Sequence, residues 1–175
     1  VISPYLDDRI ACLVLLMAME QMEKTDNDLY FVFSVQEEVG TRGAKTAAWA
    51  IDPDYGIAVD VTGADDEPGS KHQASCLCGR GAAVKVMDRS VICHPAVVEK
   101  LMALAEEKSI PAQRDVLQFG GTDAGSIQST RSGVYAGGIS IPCRYTHTPT
   151  ELVDMSDVRA CAGLTAAFAA CKLEK

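Results

Sequence analysis

Two short runs of β-forming residues flank a helical stretch, and this alternation limits the fold more than any other feature of the chain. Residues 29–35 (LYFVFSV) and 55–61 (YGIAVDV) are apolar nearly throughout, without the polar alternation of a half-exposed strand. Such runs suit strands covered on both faces, and residues 29–35 read as a central strand of that kind. Residues 43–50 (GAKTAAWA) lie between them and read as a short helix, closed by Asp52 and Pro53. Strand, helix, strand in this order predicts an α/β domain with a mainly parallel sheet.

The flanks extend the pattern. Residues 10–22 are almost continuously apolar and rich in Ala, Leu and Met, which predicts a well-buried helix. Residues 62–81 carry Asp65, Asp66, Pro68 and several glycines and read as a surface excursion with room for an edge hairpin. Strands are expected at 82–87, 113–119 and 134–141. Pro95 opens a helix with Val97, Val98, Leu101, Met102, Leu104 and Ala105 on one broad face. A short helix follows a glycine turn at 123–128, and Ser156 is the expected N-cap of a last helix reaching about Cys171. The chain of 175 residues has the size of one domain and shows no internal repeat or low-complexity tract.

Charge excludes several function classes. The net charge of -8 repels nucleic acid and anionic membrane, and no basic stripe with interleaved aromatics offsets it. The longest apolar stretches, about ten residues, are too short to span a bilayer. Of the seven cysteines, Cys12, Cys161 and Cys171 fall in expected apolar helices and read as small buried hydrophobes, in keeping with a reducing cytoplasm. The opening VISPYLDDR reads like the interior of a longer protein.

Five residues stand out as chemistry: Asp7 in YLDDR, Glu37 and Glu38 in VQEEVG, Asp60 in IAVDVTG and His147 in RYTHTP. Each sits where an apolar segment gives way to turn residues. Side chains at strand ends and on the following turns can converge in space while far apart in sequence. Asp7, Glu38, Asp60 and His147 offer carboxylate and imidazole donors of the kind that hold zinc, cobalt or manganese. Glu37 is left over beside Glu38. Adjacent residues point apart on a strand, so one carboxylate can ligate while its neighbour takes a proton from water. Each residue also has an ordinary reading. The Glu pair suits a solvated turn, Asp7 or Asp8 a helix cap, Asp60 a strand-end ion pair, and His147 a surface histidine. His72, in the excursion, and His94, before Pro95, are weaker ligand candidates; His94 suits a cap or a packing role. Cys76 and Cys78 form a bare C-x-C without a second pair. GGTDAG at 120–125 lacks the spacing of a nucleotide loop, but its glycines let backbone approach a ligand, and Asp123 could receive a substrate's amino group.

With these motifs in hand, the chain resembles the M42 family of metallo-aminopeptidases, the glutamyl or leucyl type that forms tetrahedral particles and includes relatives labelled endoglucanase. The resemblance runs through YLDDR, VFSVQEEVGTRGAKTAAWAIDPD, IAVDVTG, VMDRSVICHP, GGTDAGSIQSTRSGV and GGISIPCRYTHTPTELVD. It implies a three-layer α/β/α sandwich of the zinc-peptidase type around a mixed, mainly parallel sheet. Residues 1–175 would be the C-terminal portion of the catalytic domain, without its N-terminal part and inserted small β domain. It further implies two divalent metal ions, zinc or cobalt, with Asp7 as bridging ligand. Glu38 and His147 would complete one position, Asp60 would serve the other, and Glu37 would be the general base. Asp7 and Asp8 would be joined by a cis peptide. The family's second position also takes a histidine from an upstream H-x-D segment that precedes the point where this chain starts.

The resemblance therefore implies an aminopeptidase acting on short peptides, cytoplasmic, and homo-oligomeric from dimer to dodecamer. Two other functions remain open on the sequence: a catalytically silent module with a structural or assembly role, and a glycoside hydrolase using paired carboxylates.

Overall fold

The computed structural model describes residues 1–70 and 74–173. In chain order its elements are β1 (Ile2–Ser3), α1 (Leu6–Gln21), α2 (Arg42–Ile51), β2 (Tyr55–Gly63), β3 (Ala82–Met87), α3 (Pro95–Glu107), β4 (Ala112–Val116), α4 (Asp123–Gln128), β5 (Tyr135–Arg144), β6 (Glu151–Val153) and α5 (Met155–Ala170). The expected α/β class holds.

Strand β5 is the spine of a mixed six-stranded sheet. It pairs in parallel with all of β2, from Tyr55↔Tyr135 to Gly63↔Cys143. Its other edge pairs antiparallel with β3 and, further on, with β6. Strands β3 and β4 run parallel, and β6 carries β1 antiparallel. The two parallel ladders are the long ones. Helices α1, α3 and α5 pack together on one face, while α2 and α4 lie on the other. The larger core lies under the first group, where Val14, Val84, Val97, Leu101, Ile139, Val158 and Leu164 are fully enclosed. Gly137 permits this packing. A Cβ there would stand 2.5 Å from Cγ1 of Val97, so only glycine lets α3 settle on β5.

Several expectations are corrected. Residues 29–35 are not a strand. Their composition favours β structure, but such propensity is realised by cross-strand partners, and among the described residues none forms a ladder with them. A cleft of about 970 Å³ separates them from β2, whose one strand neighbour among the described residues is β5. Helix α1 is half-buried rather than enclosed. Ile10, Ala11, Val14 and Ala18 face the core, while Leu13 and Leu16 are exposed. Cys12 lies on that exposed side, Cys171 is half-buried, and Cys161 is fully buried as expected. The excursion after β2 contains no strand among its described residues, and His72 lies outside the described residues. Strand β4 ends at Val116, short of residue 119. The cap of α5 is Asp154, whose carboxylate accepts from the Ser156 N–H and hydroxyl, both at 2.7 Å. Aspartate two residues earlier satisfies the free amides better than Ser156, which becomes the second helical residue. His94 does cap α3, with Nδ1 accepting from the Ala96 N–H at 3.3 Å. Among the described residues no helix is long and apolar enough to cross a membrane.

Candidate metal centre

Three irregular pieces of backbone and one strand deliver the candidate residues to one place. At the start of α1, Tyr5 is left-handed (φ 62), the Asp7–Asp8 peptide is cis, and neither aspartate has helical dihedrals. Both carboxylates therefore leave the line of the helix. Residues 36–41 form a tight turn. The Glu37 carbonyl accepts from the N–H of Gly40 and of Thr41, and Gln36 and Thr41 are left-handed. Gly43 anchors that turn. Its N–H donates to the Val35 carbonyl, and a Cβ there would strike Val35 backbone at 2.5 Å. Asp60 stands in β2 with Oδ1 accepting from the Val61 N–H at 2.8 Å. His147 follows β5 in another left-handed turn, with Tyr145. Left-handed non-glycine residues are sparsely populated and concentrate at functional sites.

The result is two groups of potential ligands sharing Asp7. Asp7, Glu38 and His147 form one; Asp7, Asp8 and Asp60 form the other; donor atoms in each lie within 4.8 Å of one another. His147 Nε2 is 3.0 Å from Asp7 Oδ2 and 3.6 Å from Glu38 Oε2. Ligands about 2.0–2.1 Å from a tetrahedral ion stand about 3.3–3.4 Å apart, so these spacings fit a divalent cation. All four ligand candidates from the sequence are thus brought together. Asp8 joins them, and the sequence had offered it only as a helix cap.

Like charges in a partly buried site resist ionisation. Burial first, then Asp60 and Asp7, push the Asp8 carboxyl far above the usual range. Burial, then Asp7 and Glu37, do the same to Asp60. Asp7 is also raised, by burial and by Glu38, against the lowering effect of His147. Glu37 is pushed up to about 7, chiefly by burial and then by Asp123, Glu38 and Asp7. A carboxylate poised near neutrality can both accept and return a proton.

Asp7, Glu37, Glu38, Asp60 and Asp123 all line the cleft beside β2. Asp123 begins α4. Its Oδ2 accepts from the Ser34 hydroxyl at 2.6 Å, while Oδ1 is buried without a hydrogen-bond partner among the described residues. Asp88 holds the glycine loop, accepting from the Ser90 N–H and hydroxyl, the Val91 N–H and the Thr122 hydroxyl. Cys76 and Cys78 join no ligand group among the described residues.

Comparison with known proteins gives the family. Residues 1–164 match the family described as M42 glutamyl aminopeptidase. A putative aminopeptidase of Acetivibrio thermocellus is 54% identical over 158 residues, 90% of this chain and 48% of its own length. The structure of an aminopeptidase from the archaeon Desulfurococcus kamchatkensis superposes with a TM-score of 0.94 at 46% identity, over 97% of this chain and 48% of that one. The TET1 peptidase of Pyrococcus horikoshii, which can assemble into a tetrahedron or a large octahedral shell, gives 0.81 at 30% identity over 96% and 49%. The chain spans about half the length of these relatives.

Proposed function

Since this chain belongs to the M42 glutamyl aminopeptidase family, we propose that residues 1–175 form the metal-holding portion of a catalytic domain that removes N-terminal amino acids from short peptides. The observation that carries this reading is the sharing of Asp7 between two ligand groups, with Glu37 beside them and uncommitted. Asp7, Glu38 and His147 would hold one divalent ion, zinc or cobalt; Asp7 and Asp60, with Asp8 adjacent, would hold a second. When bound there, such ions supply Lewis acidity that polarises a carbonyl and eases ionisation of water. Glu37 takes the proton of the attacking water and passes it to the leaving amine. The unpartnered Oδ1 of Asp123 suits the substrate's α-ammonium, which would complete its hydrogen bonding. An imidazole within the cluster favours this over a glycoside hydrolase, whose two carboxylates work without one. The assay is release of nitroaniline from aminoacyl-nitroanilides, by this chain alone and supplemented with the unmatched half of the Acetivibrio thermocellus relative. Chelator-sensitive turnover is expected; cleavage indifferent to chelator refutes the mechanism. Activity seen only on supplementation would identify the chain alone as a silent module. The second group favours that outcome, because among the described residues it holds three carboxylates and no imidazole.

Metal should also stabilise the fold. Asp8 and Asp60 keep protons in the folded state that an unfolded chain releases above about pH 4. Folding therefore binds protons, and the stability these groups contribute falls as pH rises from that range through neutrality. A cation replaces the protons. At 100-fold excess over Kd it contributes about 2.7 kcal/mol, roughly 5–10 °C in Tm. The shift, read by scanning fluorimetry with Zn²⁺ or Co²⁺, is expected to be larger at pH 8 than at pH 5. Equal shifts at both would show that the cation binds elsewhere.

The partner reading is a homo-oligomer, from dimer to dodecamer, supported by assembly of the Pyrococcus horikoshii relative. Exposed Trp49, Phe33, Val35 and Val39 supply apolar surface for it. Light scattering should give at least a dimer; a monomer at micromolar concentration refutes it. Free thiols throughout support a reducing cytoplasmic setting.

A further inference from the structure

Among the described residues Glu151, at the start of β6, is the one carboxylate that touches two of the ligand-bearing segments without being a ligand candidate itself. It is 3% exposed. Its Oε2 accepts from the Asp7 N–H and its Oε1 from the His147 N–H, each at 3.0 Å. Asp7 lies 144 positions away in sequence; His147 lies four residues upstream. Neither amide has a ladder or helix partner to hold it. Asp7 stands in a first turn whose N–H groups lack intrahelical acceptors, and His147 is left-handed in a loop. Each oxygen is thus spent on one amide, and charge-assisted bonds of this kind are about twice as strong as neutral ones. Glu151 is itself fixed, because β6 pairs with β1 through Ser3↔Glu151, just ahead of Asp7.

We propose that Glu151 is a positioning residue that sets the spacing between the Asp7 carboxylate and the His147 imidazole by clamping the backbone amides of both. The proposal rests on the reading of Asp7 and His147 as metal ligands. The clamp acts before any metal arrives. It presents the two side chains 3.0 Å apart, already close to the separation that one ion requires. Supporting contacts of this type typically change metal affinity by about 10–100-fold when lost.

The test uses Co²⁺, whose visible absorption reports ligand geometry, titrated into the purified chain and three variants. Glu151→Gln keeps size but turns an amide NH2 toward one of the two N–H donors. Glu151→Asp keeps charge but draws the oxygens back by one methylene. Val158→Ala, in the buried face of α5, supplies a destabilised control that removes neither of the two clamp bonds. Both Glu151 variants are expected to lose about 10–100-fold in Co²⁺ affinity with an altered spectrum, while Val158→Ala loses metal-free Tm but keeps affinity and spectrum. Parental affinity and spectrum in Glu151→Gln overturn the proposal. Parental behaviour in Glu151→Asp overturns the clamp in favour of a charge effect alone. A loss matched by Val158→Ala assigns Glu151 to general stability and also overturns it. If the parental chain takes up no Co²⁺ at all, the ligand reading itself fails, a result distinct from the other three.

Discussion

Replacing Glu37 with glutamine should lower kcat of the metal-loaded peptidase by about 100- to 10,000-fold, the usual contribution of a positioned general base. An amide has the shape of the carboxylate but cannot take the proton. Metal affinity should stay near parental, because Glu37 belongs to neither ligand group. Glu38→Gln should do the reverse, removing a charged donor 3.6 Å from His147 Nε2 and weakening metal binding first. The pH profile gives a second readout. Glu37 is held up to about 7 by burial and neighbouring carboxylates. Its base form therefore grows as pH rises, and kcat/KM should climb along an acidic limb. Bound cations would offset the carboxylate repulsion and draw that limb to lower pH. The limb should vanish in Glu37→Gln. Loss of metal by both variants to the same degree would reverse the division of base from ligand.

The parts legible in the sequence were those whose information is local. Strand β3 and helix α4 were read to the residue, because an apolar run broken only by Lys85 and a glycine turn mark them without reference to the rest of the chain. The ligand candidates were legible for a related reason: a carboxylate such as Asp60 inside IAVDVTG contradicts its surroundings and needs a partner. What stayed hidden depends on distant contacts. Residues 29–35 have β composition but lack a ladder partner among the described residues, so composition alone misplaced them. Strands β1 and β6 span two and three residues, too few to show a period. Asp8 resembled a cap, and Glu151 resembled an ordinary polar residue in PTELV. The value of Glu151 lies in an amide 144 positions away. The doubled aspartate was the one available signal for Asp8, since a single residue suffices to cap a helix.

Lys85→Met is expected to destabilise the chain by about 3–5 kcal/mol, the cost of leaving one member of a buried ion pair uncompensated. Lys85 in β3 and Asp115 in β4 are both fully enclosed, and the Lys85 ammonium contacts the Asp115 carboxylate directly. Around the pair the polar atoms are matched. The Lys85 ammonium also donates to the Thr62 hydroxyl at 3.0 Å. Asp115 accepts from the Thr62 hydroxyl at 2.9 Å and from the Ser75 hydroxyl at 2.6 Å. Methionine fills the volume of the lysine stem but leaves the carboxylate with two hydroxyl partners and no cation. Lys85 is also among the charges acting on Asp60, where it favours the ionised form, so its removal should make Asp60 harder to deprotonate. Urea unfolding measures the loss of stability. The double variant Lys85→Met with Asp115→Leu separates pair from packing: it should recover most of the stability, because no buried charge remains. If the single variant unfolds at the parental urea midpoint, water or another cation already compensates Asp115. If the double variant unfolds no later than the single one, the loss comes from packing and not from an uncompensated charge.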